Sequence, residues 1–129
     1  MTYERKSTGN YGEDLATQFL KKRGLKIIER NFSSKLGEID ILARPPSPRL
    51  RWINQKSDIV IVEVKTKSGG NFGEGFEMVN YHKKRKVLLL AKVIQQKYPD
   101  RTIRIDIISI DANQNPPELK HFVNAVEES

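Results

Sequence analysis

Leu15, Ala16, Phe19 and Leu20 are spaced to share one face of a helix whose other side is charged. The spacing predicts a helix over roughly Asn10 to Arg23, with Gly24 as its left-handed stop. Leu25 to Phe32 and Leu36 to Ala43 then show period-two alternation in places, on either side of Ser33 to Lys35. That pattern predicts a hairpin. Arg44 to Gln55 carries prolines at 45, 46 and 48 and is read as a long hairpin loop with a short edge segment, since proline cannot serve a central strand.

Asp58 to Lys67 has a different texture. Ile59-Val60-Ile61-Val62 is apolar at every position, the mark of a strand buried on both faces, yet the segment ends in charge. Ser68 to Gly75 holds four glycines and reads as a loop. Val87, Leu90, Ala91, Ile94 and Tyr98 trace a second helix, closed by Pro99. Thr102 to Ile110 is a fourth strand, and strand, helix, strand at this spacing implies a right-handed crossover that sets it parallel to the third. After the polar turn Asn113 to Pro117, the spacing of Leu119, Phe122, Val123 and Val126 predicts a short C-terminal helix docked on the core. The expected fold is α/β in the order α-β-β-β-α-β, a mixed four-stranded sheet flanked by helices, in one domain over residues 1–129.

Charge adds a partner class. The chain has 23 Lys and Arg against 16 Asp and Glu, a formal +7, and a pI near 9.7, which suits a polyanion. Without cysteine it has neither disulfides nor thiolate metal sites, so a metal would need carboxylate, carbonyl or imidazole ligands. Two histidines, His82 and His121, argue against an imidazole cluster. No apolar run approaches the ~20 residues of a membrane span, and Met1 to Asn10 lacks the apolar core of a secretory signal. The expectation is a cytoplasmic protein with no membrane partner.

Glu63-Val64-Lys65 carries the candidate chemistry. Alternation places Glu63 and Lys65 on one face at the end of the buried strand, with the carbonyl of Val64 in the strand edge between them. A pair that has already reached solvent would be inert and worth little. Asp40 changes the weighing, because it lies between Ile39 and Ile41 in the neighbouring strand, where a carboxylate needs a partner. If the strands pair, Asp40 approaches Glu63, and two adjacent carboxylates repel unless a proton or a hard cation such as Mg²⁺ or Mn²⁺ lies between them. Lys65 beside that ion would orient water or meet charge on a phosphate.

Asp40 followed by Glu63-Val64-Lys65 resembles the restriction-endonuclease-like motif, shared with archaeal Holliday-junction resolvases. The wider pattern resembles the uncharacterised bacterial YraN family of predicted endonucleases: Gly12-Glu13 with Ala16, Glu29-Arg30-Asn31-Phe32, Gly37-Glu38-Ile39-Asp40, Val62-Glu63-Val64-Lys65-Thr66, Phe72-Gly73, Lys83, Arg104-Ile105-Asp106 and His121-Phe122-Val123-Asn124-Ala125. The resemblance runs in order through nearly the whole chain. It implies a restriction-endonuclease-like core and hydrolysis of DNA phosphodiester bonds, on branched or damaged DNA among other forms. It also implies Asp40, Glu63 and the carbonyl of Val64 as metal ligands, Lys65 as the group serving the attacking water, and Glu13 of the first helix completing the acidic site. The Arg44 to Gln55 segment is longer than the usual tight hairpin connection.

The remaining signals are weaker. His82-Lys83-Lys84-Arg85-Lys86 sets cations at a helix start, where the helix dipole opposes them. Contact with phosphate would justify that cost, and with Lys67 these lysines and Arg85 form the expected nucleic-acid surface. A helix beginning earlier, near Glu77, would make them an ordinary solvated face. Asp106 next to Arg104 reads as a structural pair, and Trp52 and His121 read as packing residues. The alternative to a nuclease is a non-catalytic nucleic-acid-binding module with a vestigial site, and nothing in the chain opposes a homodimer.

Overall fold

The computed structural model describes residues 3–46, 58–67 and 81–126. Its elements run α1 (Tyr3–Lys22), β1 (Lys26–Ser34), β2 (Gly37–Arg44), β3 (Ile59–Lys67), α2 (Tyr81–Lys97), β4 (Ile103–Asp111) and β5 (Glu118–Phe122). The expected loop Ser68 to Gly75 with Phe72, Trp52, and all of Arg44 to Gln55 beyond Pro46 lie outside the described residues.

One mixed sheet in the order β1-β2-β3-β4-β5 separates two apolar layers. β3 and β4 are parallel, as the crossover rule requires, and the other neighbours are antiparallel. Even-numbered Val60 and Val62 of β3 pack with Ala16 and Leu20 of α1, whereas odd-numbered Ile59 and Ile61 pack with Val87, Leu90 and Ile94 of α2. The consecutive apolar residues therefore serve opposite faces of a strand covered on both sides.

Both helices follow the expected stripes, and α1 begins earlier than the apolar spacing indicated. It ends where Gly24 takes φ +88°. There Gly24 N–H donates to the Lys21 carbonyl (2.9 Å) and Leu25 N–H to that of Leu20 (3.0 Å), the paired bonds of a Schellman stop.

The tail departs from expectation. It forms β5, antiparallel to β4, in place of a short helix, and the sheet has five strands, not four. Leu119 and Phe122 are three apart, which suits a helix face, but in a strand the same spacing points them to opposite sides. Leu119 joins the α1-side core and Phe122 the α2-side core. β4 is buried along most of its length, so its outer backbone groups need hydrogen-bond partners, and the tail supplies them.

Gly12 is fixed by a close approach. A Cβ there would run into Thr66 Oγ1 of β3, so α1 lies against the sheet at the level of the acid-x-lysine segment. Gly12→Ala is expected to destabilise the fold by about 1–3 kcal/mol, although alanine is the better helix former. Adding Thr66→Ala should recover most of that loss. Urea unfolding of both variants checks this, and an unchanged midpoint for Gly12→Ala alone would remove the packing argument.

Candidate functional site at the end of β3

The recorded pairing of β2 with β3 runs Ala43↔Val60, Leu42↔Ile61 and Ile41↔Val62. One step further on, a side chain takes the place of a backbone acceptor: Val64 N–H donates to Asp40 Oδ2 at 2.8 Å. This brings the half-buried acid of β2 onto the acid-x-lysine segment. The local backbone is irregular. Ile39 joins the α2-side core and Ile41 the α1-side core, so strict alternation is broken at Asp40. Across the hairpin, Arg30↔Ile41 and Phe32↔Ile39 leave Asn31 opposite Asp40. Asn31 has φ +54°, a left-handed conformation asparagine tolerates better than most residues.

Burial pushes the Asp40 carboxyl up to about 6, with the negative charges of Glu63 and Glu38 adding to the rise. The Val64 N–H and the ammonium of Lys65 pull the other way without cancelling it. Lys65 Nζ lies 3.8 Å from Glu63 Oε2, both side chains facing the α2 side of the sheet as alternation predicted. Contact with Lys65 is the largest of the effects that lower the Lys83 pKa, followed by burial, while Glu63 and Asp40 oppose the shift. Two lysines and two acids from β2, β3 and α2 thus converge on one place.

The basic run at the start of α2 divides by face. Lys83 and Lys86, three apart, line a pocket with Glu38, Glu63 and Lys65, and the Lys86 chain passes close over Gly37. Lys84 and Arg85 do not line that pocket, and Arg85 is exposed. Lys67 continues β3 beyond Lys65, paired in register with Asp111.

Glu13 is engaged by β1. It accepts from Arg30 Nη2 at 3.3 Å, and with the Asn31 amide nitrogen turned toward it, that nitrogen lies 3.0 Å and 3.2 Å from its two oxygens. Arg30 also binds Asp14 at 2.8 Å. Among the described residues no three His, Cys, Asp or Glu side chains stand close enough to hold an ion by themselves. Asp106 is the structural residue its sequence context indicated. Burial alone would raise its pKa, but hydrogen bonds from His121, Arg104 and the Asn124 N–H hold it below the usual carboxylate range. Arg104 grips both its oxygens at 3.0 Å and His121 Nε2 lies 2.8 Å from Oδ2. This network joins β4, β5 and the following turn on the α1 side of the sheet.

Glu38 and Lys83 both belong to the motifs quoted above, but neither is assigned there to the acid site. Glu38 stands two residues before Asp40 on the same strand, a spacing that could have flagged it. Lys83 is expected at the nucleic-acid surface, and only the packing of α2 on the sheet brings it to Lys65.

The sequence comparisons agree with one another. Residues 12–110 match the model of the uncharacterised protein family UPF0102. A UPF0102 protein of Caldanaerobacter subterraneus is 37% identical, covering 94% of this chain and 95% of its own. One from Syntrophotalea carbinolica is 35% identical (98% and 97% coverage), and one from Clostridioides difficile 32% (93% and 96%). The family match spans Gly12, Asp40, the acid-x-lysine strand and Asp106, and the chain belongs to the UPF0102 family, the YraN family that its motifs resemble.

Proposed function

We propose that this protein is a divalent-metal-dependent nuclease that hydrolyses DNA phosphodiester bonds at Asp40, Glu63 and Lys65. The observation that carries the reading is the bond from Val64 N–H to Asp40, which joins a half-buried carboxyl of raised pKa to a second acid and two lysines. The donor set suits a hard cation: two carboxylates and the Val64 carbonyl, all oxygen, in a chain without cysteine. Mg²⁺ commonly binds through one or two carboxylates and completes its shell with water and substrate phosphate, so a third acid is not required. Bound there, Mg²⁺ or Mn²⁺ supplies Lewis acidity and lowers the pKa of water. The chain's own part is to hold that position at Asp40 and Glu63, and to set the Lys65 ammonium where charge grows on the phosphoryl oxygens.

The test compares wild type with Glu63→Ala on linear, single-stranded and branched DNA in Mn²⁺, alongside calorimetry with Mn²⁺ alone. Wild type should bind the ion and cleave at least one DNA form, and the variant should do neither. Equal Mn²⁺ affinity in the two would remove the metal site from Asp40 and Glu63. A second reading, a nucleic-acid-binding module without chemistry, is favoured by the engagement of Glu13 with Arg30 and Asn31. It predicts DNA binding with no hydrolysis in any divalent metal. Among the described residues no helix is long and apolar enough to cross a membrane.

A further inference from the structure

Beside the acids the sheet and α2 enclose a pocket of about 130 Å³. Its inner wall is aliphatic: Val87 and Leu90 from α2, Ile105 and Ile107 from β4, and Val126 from the tail, all buried. Its remaining lining is charged, with Lys65, Lys83 and Lys86 set against Glu38 and Glu63. Protein interiors seldom leave aliphatic surface unfilled, because atoms facing a gap lose their dispersion contacts. A void of this kind next to an acid cluster is therefore a candidate binding site.

Size and charge restrict the occupant. A cavity of about 150 Å³ is enough to accept benzene, so this one suits a single flat ring. It is smaller than the roughly 300 Å³ at which ordinary ligand pockets begin, so the rest of such a ligand would lie outside it. The charged side sets three lysines against two glutamates, which suits an outer part with an anionic group beside a hydrogen-bond donor. A ring joined to an anionic group is the form of a nucleotide. The carboxylates of Glu38 and Glu63 can accept from the amino edge of a base, as acidic side chains do from cytosine.

We propose that this pocket receives one unstacked nucleobase of the substrate while the adjoining phosphate lies across Lys65 and Lys83. This rests on the reading of the neighbouring acids as a nuclease centre and narrows its substrate to nucleotides outside a regular duplex. A base inside the stack cannot enter; a bulged, frayed or single-stranded one can, at lower cost.

The probe is a DNA duplex with one bulged cytosine, a single-ring base, titrated into the full chain without divalent metal. The same duplex with an abasic bulge is the comparison. Wild type should bind the base-containing bulge about tenfold more tightly, the scale of one base packed against a protein surface. Val87→Trp fills the pocket from α2 and Val126→Trp from the tail, giving two routes should one variant fail to fold. In either folded variant the two duplexes should bind equally. Equal affinity for both duplexes in wild type overturns the proposal, as does full discrimination in a folded, pocket-filled variant. Hydrolysis in Mn²⁺ with base-independent binding would overturn the pocket assignment alone. Base-dependent binding with no hydrolysis in any metal would overturn the nuclease reading and leave the pocket assignment standing.

Discussion

Asp40→Asn is expected to make the metal-free protein more stable at neutral and alkaline pH and to leave it unchanged near pH 4. Burial lifts the folded-state pKa of Asp40 to about 6 from the ordinary 3.8, so the folded chain holds that proton more tightly than the unfolded chain does. The stabilisation that follows is complete below the unfolded pKa and is lost as pH rises through about 6. A shift of roughly two units bounds the loss at about 3 kcal/mol. Asparagine keeps a side-chain oxygen for the Val64 N–H and removes the charge. The gain should therefore be about 1–3 kcal/mol at about pH 8, measured by urea unfolding in EDTA.

Asp106 contributes with the opposite sign. Its pKa is depressed, so its stabilisation is present above the ordinary value and is lost as pH falls through the depressed one. The difference between wild type and Asp40→Asn isolates Asp40 from that background. Mn²⁺ at about 100 times its Kd should restore about 2.7 kcal/mol to wild type and far less to the variant. A wild-type-minus-variant difference that stays flat between about pH 4 and pH 8 would contradict the burial argument.

The layers of the fold were legible because local signals agreed with tertiary ones. The four apolar residues Ile59 to Val62 need cover on both sides, and the two amphipathic helices supply it. The tail is ambiguous in sequence because Leu119 and Phe122 carry a spacing that a helix and a two-faced strand both accept. The deciding factor, the open edge of β4, is a long-range property. At the site, Glu63 and Lys65 could be placed from alternation alone. Asp40 could be suspected from its isoleucine neighbours, but its bond to Val64 depends on where β2 pairing stops. The left-handed Asn31 opposite it has no signature in one sequence beyond the residue type. Glu13 lies in the helix as its motif indicated, but its partners Arg30 and Asn31 come from β1 and only the folded register introduces them.

Lys65→Met should separate an enzyme from a binding module, because the two residues of the acid-x-lysine pair meet different demands. Glu63 serves the ion in the ground state, whereas an ammonium beside the phosphoryl oxygens is worth most when charge has grown on them. Methionine approximates the length and removes the charge. The variant should bind Mn²⁺ at least as well as wild type, since a cation near the site has gone, and keep most of its DNA affinity. Single-turnover cleavage should fall by about two to three orders of magnitude, the usual effect of losing one preorganised electrostatic contact. Lys83 touches Lys65 and is the nearest substitute. Partial rescue through Lys83 should disappear in the Lys65→Met, Lys83→Met double variant, whose loss should exceed that of either single change. Lys67→Met serves as the comparison, since β3 carries that lysine past the acids to pair in register with Asp111, and its cleavage rate should fall far less. Cleavage by Lys65→Met at the wild-type rate, in a preparation whose activity survives repurification, would remove Lys65 from the chemistry.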